Sequence, residues 1–133
     1  MTMDDLMRWF AVKKTGVCME RSPLAGFSGY TRHVTIMPDA RVIVEFLWAD
    51  SDEGGPTYTA GSGSLPDAVH AIEIFTGRKI AEWENLTASG WYPEAETSPE
   101  RDSAAFKRAV REGQFPLPSS MTFTLKERYW REV

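Results

Sequence analysis

Two pairs of glutamates come nearest, in residue type and spacing, to a catalytic arrangement. Glu82 and Glu84 are separated by one residue, and so are Glu94 and Glu96. On an extended strand, the two members of such a pair lie on one face about 6–7 Å apart. Glycoside hydrolases use two carboxylates at about 5–9 Å. Acidic pairs are equally typical of solvated surfaces, so the spacing leaves both a hydrolase and plain surface charge open.

The histidines and the single cysteine form no recognisable metal or nucleophile motif. His33 and His70 are the only histidines, neither belongs to a His-Glu-x-x-His sequence, and Cys18 has no second thiol beside it. We therefore predict no bound metal, no cofactor and no catalytic residues. A lone cysteine fits a reducing compartment, and we expect Cys18 to be a buried, inert thiol.

The Gly-Ser-Gly-Ser sequence at 61–64 precedes a predicted helix, an arrangement that binds phosphate in some proteins. The Lys-Ser/Thr of a phosphate-binding P-loop is missing, however, and Pro66 removes one of the N–H donors that a phosphate would use. We interpret the loop as a linker that ends in a helix cap. No Gly-x-Ser-x-Gly nucleophile elbow occurs.

The strongest candidate for a functional site is the segment from Trp83 to Glu96. It lies within residues 80–97, which follow neither a helical nor a strand period. Aromatic residues dominate interface hot spots, and carboxylates attract cationic partners. A second acidic turn, at 50–53, can join the same surface. The predicted partner-binding residues are Asp50, Asp52, Glu53, Glu82, Glu84, Trp91, Tyr92, Glu94 and Glu96. The alternative for Trp83 and Trp91 is that they fill the core beneath a loop, and for Trp83 this alternative is favoured.

Three helices are expected to support this segment. They run from the Thr2 cap to Gly16, from the Ser64 cap to Gly77, and from Ser98 to about Glu112. Asp5 occupies the capping-box position of the first helix, and Pro66 suits the first turn of the second.

Alternating hydrophobicity predicts strands at 30–37, 41–48, 57–60 and 121–126. The short gap between the first two indicates an antiparallel hairpin, with Val42, Val44 and Phe46 on one face. We therefore predict a single α+β domain over residues 1–133. It has an antiparallel sheet of four to five strands, with two or three helices packed on one face.

Composition excludes several classes of protein. With 15 basic and 19 acidic residues the formal net charge is −4, which argues against nonspecific nucleic-acid binding. No stretch approaches the roughly 20 apolar residues of a membrane span. The first five residues carry two acidic side chains, Asp4 and Asp5, and no basic one, unlike the start of a signal peptide. We expect a cytoplasmic protein that binds neither membranes nor nucleic acid.

Residues 83–93 read Trp-Glu-Asn-Leu-Thr-Ala-Ser-Gly-Trp-Tyr-Pro, which is typical of a family signature. In size, acidity, α+β pattern and aromatic–acidic loops, the chain resembles the small bacterial immunity proteins that neutralise contact-dependent and secreted toxins. The resemblance implies a cytoplasmic, non-catalytic inhibitor that binds one cognate toxin and blocks its active site or substrate path. Many such toxins are basic nucleases, so it also implies a basic protein partner and an acidic surface that imitates the substrate.

Two other functions remain open at this stage. One is a small-ligand-binding domain or enzyme with a pocket between sheet and helices, lined by Trp48, Trp83 and Trp91. The other is an oligomeric structural or phage-type accessory protein.

Overall fold

The computed structural model describes residues 1–23, 30–48, 57–90 and 117–125. The elements are α1 (Met3–Lys13), β1 (Val17–Pro23), β2 (Tyr30–Ile36), β3 (Val42–Trp48), β4 (Thr57–Ala60), α2 (Leu65–Thr76) and β5 (Thr124–Leu125), with short 3₁₀ helices at Ile80–Glu82 and Thr87–Ser89. The strands form one antiparallel sheet in the order β1-β2-β3-β4-β5. This confirms the α+β class and the antiparallel sheet. The packing of the helices on one face stays a prediction, and the helix expected from Ser98 lies outside the described residues.

Helix α1 begins where its capping residues predict. The Asp5 N–H donates to Thr2 Oγ1 at 3.1 Å, and the Thr2 N–H donates to Asp5 Oδ2 at 3.0 Å, which completes the capping box. The helix ends at Lys13, earlier than predicted. Lys14 takes the left-handed conformation (φ 59°) that was expected of Gly16.

Gly16 has a different task, which is a close approach to β2. A Cβ atom at this position would lie 2.5 Å from Met37 Sδ and 3.2 Å from the Ile36 carbonyl oxygen. The absent side chain therefore lets the chain leaving α1 run directly against the sheet.

Helix α2 has the predicted ends. The Ser64 hydroxyl accepts the Asp67 N–H at 3.2 Å, and Pro66 sits in the first turn. Gly77 closes the helix with φ 71°, and its N–H donates to the Glu73 carbonyl at 2.9 Å. Both helices contribute buried residues to the hydrophobic core. They are Leu6 of α1 and Ala68, Val69 and Ile72 of α2.

The hydrophobic core combines residues of both helices with residues of the strands. Its buried members are Leu6, Val17, Met19, Val34, Ile36, Ala40, Val42, Val44, Phe46, Ala68, Val69, Ile72 and Trp83. The hairpin register pairs Val34 with Val44 and Ile36 with Val42, which places these residues on one face of the sheet. The prediction that Val42, Val44 and Phe46 share a face fits this register.

The opposite face of the sheet is also buried, but it is largely polar. The register aligns His33 of β2, Glu45 of β3 and Thr57 of β4 in one row across the sheet. All three side chains are withdrawn from solvent, as is Thr35. Among the described residues, the hydroxyls of Thr35 and Thr57 have no hydrogen-bond partner.

Strand β1 was not predicted from the sequence. Its pairing with β2 shifts between Cys18 and Glu20, which is a β-bulge. Val17, Cys18 and Met19 are consecutively buried, so the period-two alternation that identifies strands is absent here.

Candidate functional site

Trp83 anchors the predicted site segment to the core. Its side chain is 3% exposed and packs with the core residues, and its Nε1–H donates to the Arg78 carbonyl at 3.1 Å. A buried tryptophan whose only polar group is hydrogen-bonded is a stable structural anchor. The core position favoured for Trp83 therefore agrees with the structure.

The backbone on either side of Trp83 is held by several hydrogen bonds. The Ile80 N–H donates to Glu73 Oε2 at 2.9 Å, and Arg78 Nη2 donates to the Glu82 carbonyl at 2.7 Å. The amino group of Met1 donates to the carbonyls of Ile80 and Trp83, each at 3.1 Å. Around Trp83, these specific contacts hold the backbone, and no long helix or strand is needed.

Glu82 and Glu84 both extend into solvent while Trp83 between them points inward. Glu82 ends the first 3₁₀ helix, and its Oε2 accepts the Lys79 N–H at 3.1 Å. Among the described residues, the Glu84 carboxylate has no hydrogen-bond or ion-pair partner. Both glutamates are therefore exposed, as expected if the pair is solvated surface charge and not a catalytic pair. In the sequence 82–84 the structure provides no buried carboxylate of the kind that a general acid needs.

The remaining predicted partner-binding residues cannot be placed by the structure. Asp50, Asp52, Glu53, Trp91, Tyr92, Glu94 and Glu96 lie outside the described residues. The side chain of Trp48, which was assigned to an alternative pocket, is likewise not described.

The end of the segment crosses the edge of β1. The Leu86 N–H donates to the Cys18 carbonyl at 2.9 Å, and the Cys18 N–H donates to Thr87 Oγ1 at 2.8 Å. The Asn85 side chain accepts the Ala88 N–H at 3.0 Å and shapes the turn between them. Cys18 itself is buried, as expected for an inert thiol.

A groove that the sequence analysis missed lies beside this segment. It has a volume of about 430 Å³, and its lining includes Asn85 and the α1 residues Asp5, Arg8, Trp9 and Val12. Val12 is 70% exposed, whereas the Trp9 ring is partly buried and Lys13 Nζ lies 6.0 Å from its centre. The spacing i, i+3, i+4 and i+7 of these four α1 residues was the available signal, because it places them on one face of the helix.

The polar rim of the groove is fixed by the helix cap. The hydrogen bonds that Asp5 accepts from the backbone and hydroxyl of Thr2 lower the pKa of its carboxyl, which is also 3.3 Å from Arg8 Nη1. Asp5 is therefore negatively charged at neutral pH and pairs with Arg8 across one turn of helix.

Within residues 1–23, 30–48, 57–90 and 117–125, no group of three or more His, Cys, Asp or Glu side chains is arranged to hold a metal ion. In the same ranges, no helix combines the length and the apolar character needed to cross a bilayer. Comparisons of the chain with protein-family models, curated proteins and solved structures find no match. The described residues form an α+β fold that exposes Glu82 and Glu84 on either side of the buried Trp83.

Proposed function

We propose that this chain is a non-catalytic protein-binding domain, and specifically an immunity-type inhibitor that binds and neutralises a basic bacterial toxin. The proposal rests on one observation above all. Glu82 and Glu84 are exposed on either side of a tryptophan that is fixed in the core. The partner-binding surface is defined here as Glu82, Glu84 and the neighbouring α1 groove.

Rigidity supports a binding role for this surface. Ordering a mobile loop on association costs about 0.5–1.5 kcal/mol for each immobilised, rotamer-rich side chain. The hydrogen bonds to Ile80, Glu82 and Trp83 hold the backbone before any partner arrives. Binding energy is therefore not spent on shaping the segment.

Charge and apolar surface are adjacent in the way that specific interfaces require. The two glutamates attract a cationic surface and accelerate the encounter, while the groove beside Asn85 offers apolar area for a side chain of the partner. In this proposal the inhibitor acts in the cytoplasm and covers the substrate path of its toxin. Glu94 and Glu96, which lie outside the described residues, remain predicted partner-binding residues.

The test begins with capture of the partner from the lysate of the native host by the tagged protein, with mass-spectrometric identification. The purified partner is then titrated with the wild-type chain and with Glu82→Gln/Glu84→Gln. We expect the variant to bind about tenfold or more weakly, a change of about 1.4 kcal/mol, mainly through slower association. Glutamine keeps the acceptor that Lys79 N–H uses, so the segment stays folded.

A matched control separates local contact from total charge. Asp4→Asn/Asp67→Asn also removes two exposed carboxylates, each from the first turn of a helix. Affinity should be unchanged in this control, and co-expression of the wild-type chain should restore growth of cells that make the partner. Equal loss in both double variants, or a partner that is not toxic, would overturn the proposal.

A further inference from the structure

A second depression lies away from the partner-binding surface, between α2 and the segment that leads into β5. Its volume is about 470 Å³, which is within the range of small-molecule sites. The side chains that matter for its chemistry are Ser62, Asp67, His70, Ser120, Met121 and Thr122. None of these residues belongs to the segment 80–90.

The polar groups of this cleft are available to a ligand. Asp67, His70, Ser120 and Thr122 are exposed. Among the described residues, the Asp67 carboxylate, the His70 ring and the hydroxyls of Ser120 and Thr122 have no hydrogen-bond or ion-pair partner. Four side chains that can donate or accept hydrogen bonds therefore face one cavity without being used by the fold.

The wall formed by the Gly-Ser-Gly-Ser loop is fixed. The Ser62 hydroxyl is within hydrogen-bond distance of two carbonyl oxygens, 2.7 Å from that of Ala40 and 2.8 Å from that of Ser64. Its O–H is shared between these two acceptors. Its oxygen retains lone pairs that can accept from a ligand. Ser64 is occupied as the cap of α2, because its hydroxyl accepts the Asp67 N–H.

The charges of the lining decide which ligands fit. Among the described residues, no lysine or arginine lines the cleft, and Asp67 places a carboxylate at the helix N-terminus, where an anion would otherwise bind. Phosphates and carboxylic acids are therefore disfavoured. From the described lining, a metal ion would gain one carboxylate and one imidazole, fewer ligands than a protein metal site normally supplies.

We propose that this cleft binds a neutral small molecule with neighbouring hydroxyl groups, such as a pentose, either free or as the ribose of a nucleoside. Asp67 accepts hydrogen bonds from two adjacent hydroxyls, and His70, Ser120 and Thr122 complete the polar contacts. Met121 supplies apolar contact for the C–H side of the sugar. This binding site is independent of the proposed inhibitor function.

The experiment is a titration of the ¹⁵N-labelled full chain, followed by NMR, with D-ribose, uridine and inorganic phosphate as separate probes. We expect saturable shifts of the amide signals of Asp67, His70, Ser120 and Thr122 with ribose or uridine, with a Kd on the order of 1 mM. Stronger binding of uridine than of ribose assigns the ligand to nucleosides, and equal binding assigns it to free sugars. Both results support a site for a hydroxylated molecule.

Two variants test which groups carry the binding. Asp67→Asn should weaken binding about tenfold, because hydrogen bonds to a charged acceptor are stronger than those to a neutral amide. His70→Ala on an exposed helix position should weaken it severalfold. Asp4→Asn, which changes the matching first-turn carboxylate of α1, should leave the Kd unchanged.

Three results would overturn the proposal. These are the absence of saturable shifts with both ribose and uridine, shifts that persist unchanged in Asp67→Asn, and tighter binding of phosphate than of either sugar. Circular dichroism of each variant verifies that the fold is intact, so a loss of binding reports on the cleft.

Discussion

One face of the sheet buries apolar side chains, whereas the other buries polar side chains together with Cys18 and Ile43. On one face, Val34, Val44 and Phe46 pack against one another and belong to the hydrophobic core. On the other, Thr35 and Glu45 are equally inaccessible to solvent, although each carries polar atoms. Burying an aliphatic side chain contributes about 1.5–3 kcal/mol, whereas burying a hydroxyl without a hydrogen bond costs about 1–3 kcal/mol.

The two faces therefore affect the free energy of unfolding differently. The apolar face contributes to the driving force for folding through hydrophobic burial. Among the described residues of the other face, the unpaired hydroxyls of Thr35 and Thr57 lower the net stability. The first face follows the rule that buried positions are apolar. The second face of the same strands departs from it, because it buries polar side chains. Such departures in natural proteins concentrate where a role other than stability constrains the residues.

The largest test of this comparison is Phe46→Ala. Phe46 is fully buried in the apolar face and lies edge-on to Tyr58 with ring centres 6.2 Å apart. We expect the free energy of unfolding to fall by about 3–5 kcal/mol, because the cavity cannot collapse completely. Urea denaturation followed by circular dichroism measures it. A loss below 1 kcal/mol would show that this face does not carry the stability.

An intermediate effect is expected from Val34→Thr, which keeps the shape of the side chain but adds a hydroxyl to the apolar face. Val34 is fully buried among aliphatic neighbours. We expect a loss of about 1–3 kcal/mol, measured in the same denaturation assay. An unchanged midpoint would mean that the apolar face tolerates polar atoms and that the two faces do not differ.

The smallest effect, and the one of opposite sign, is expected from Thr35→Val. Thr35 is the next residue of β2 and points to the other face, where its hydroxyl has no hydrogen-bond partner among the described residues. Removing this group should raise the free energy of unfolding by about 1 kcal/mol. Thr57→Val should act in the same direction, and a loss of stability in both variants would assign the hydroxyls a structural role.

Sequence reasoning was most successful where a single local rule determines the structure. Ser64, Pro66 and Gly77 fix the ends of α2 because caps act within one turn. The hairpin of β2 and β3 was predicted because the turn between its strands is short and Val42, Val44 and Phe46 recur at every second position. Strand β1 was missed because the bulge after Cys18 changes the side-chain phase, and no residue type marks that position.

For the candidate site, exposure of Glu82 and Glu84 and burial of Trp83 followed from residue type. The groove along α1 and the cleft beside His70 did not, because each is formed by elements far apart in sequence. Helical spacing shows which side chains share a face, but it does not show which neighbour faces them.

The contact of Leu86 and Thr87 with Cys18 has a consequence for self-association. An edge strand normally presents unpaired N–H and C=O groups on which another chain can add a strand, which is a common start of aggregation. At Cys18 both groups are already bonded, so this part of β1 cannot template a strand from a second molecule. The segment that presents the acidic surface therefore also keeps concentrated protein from assembling through this position of the sheet.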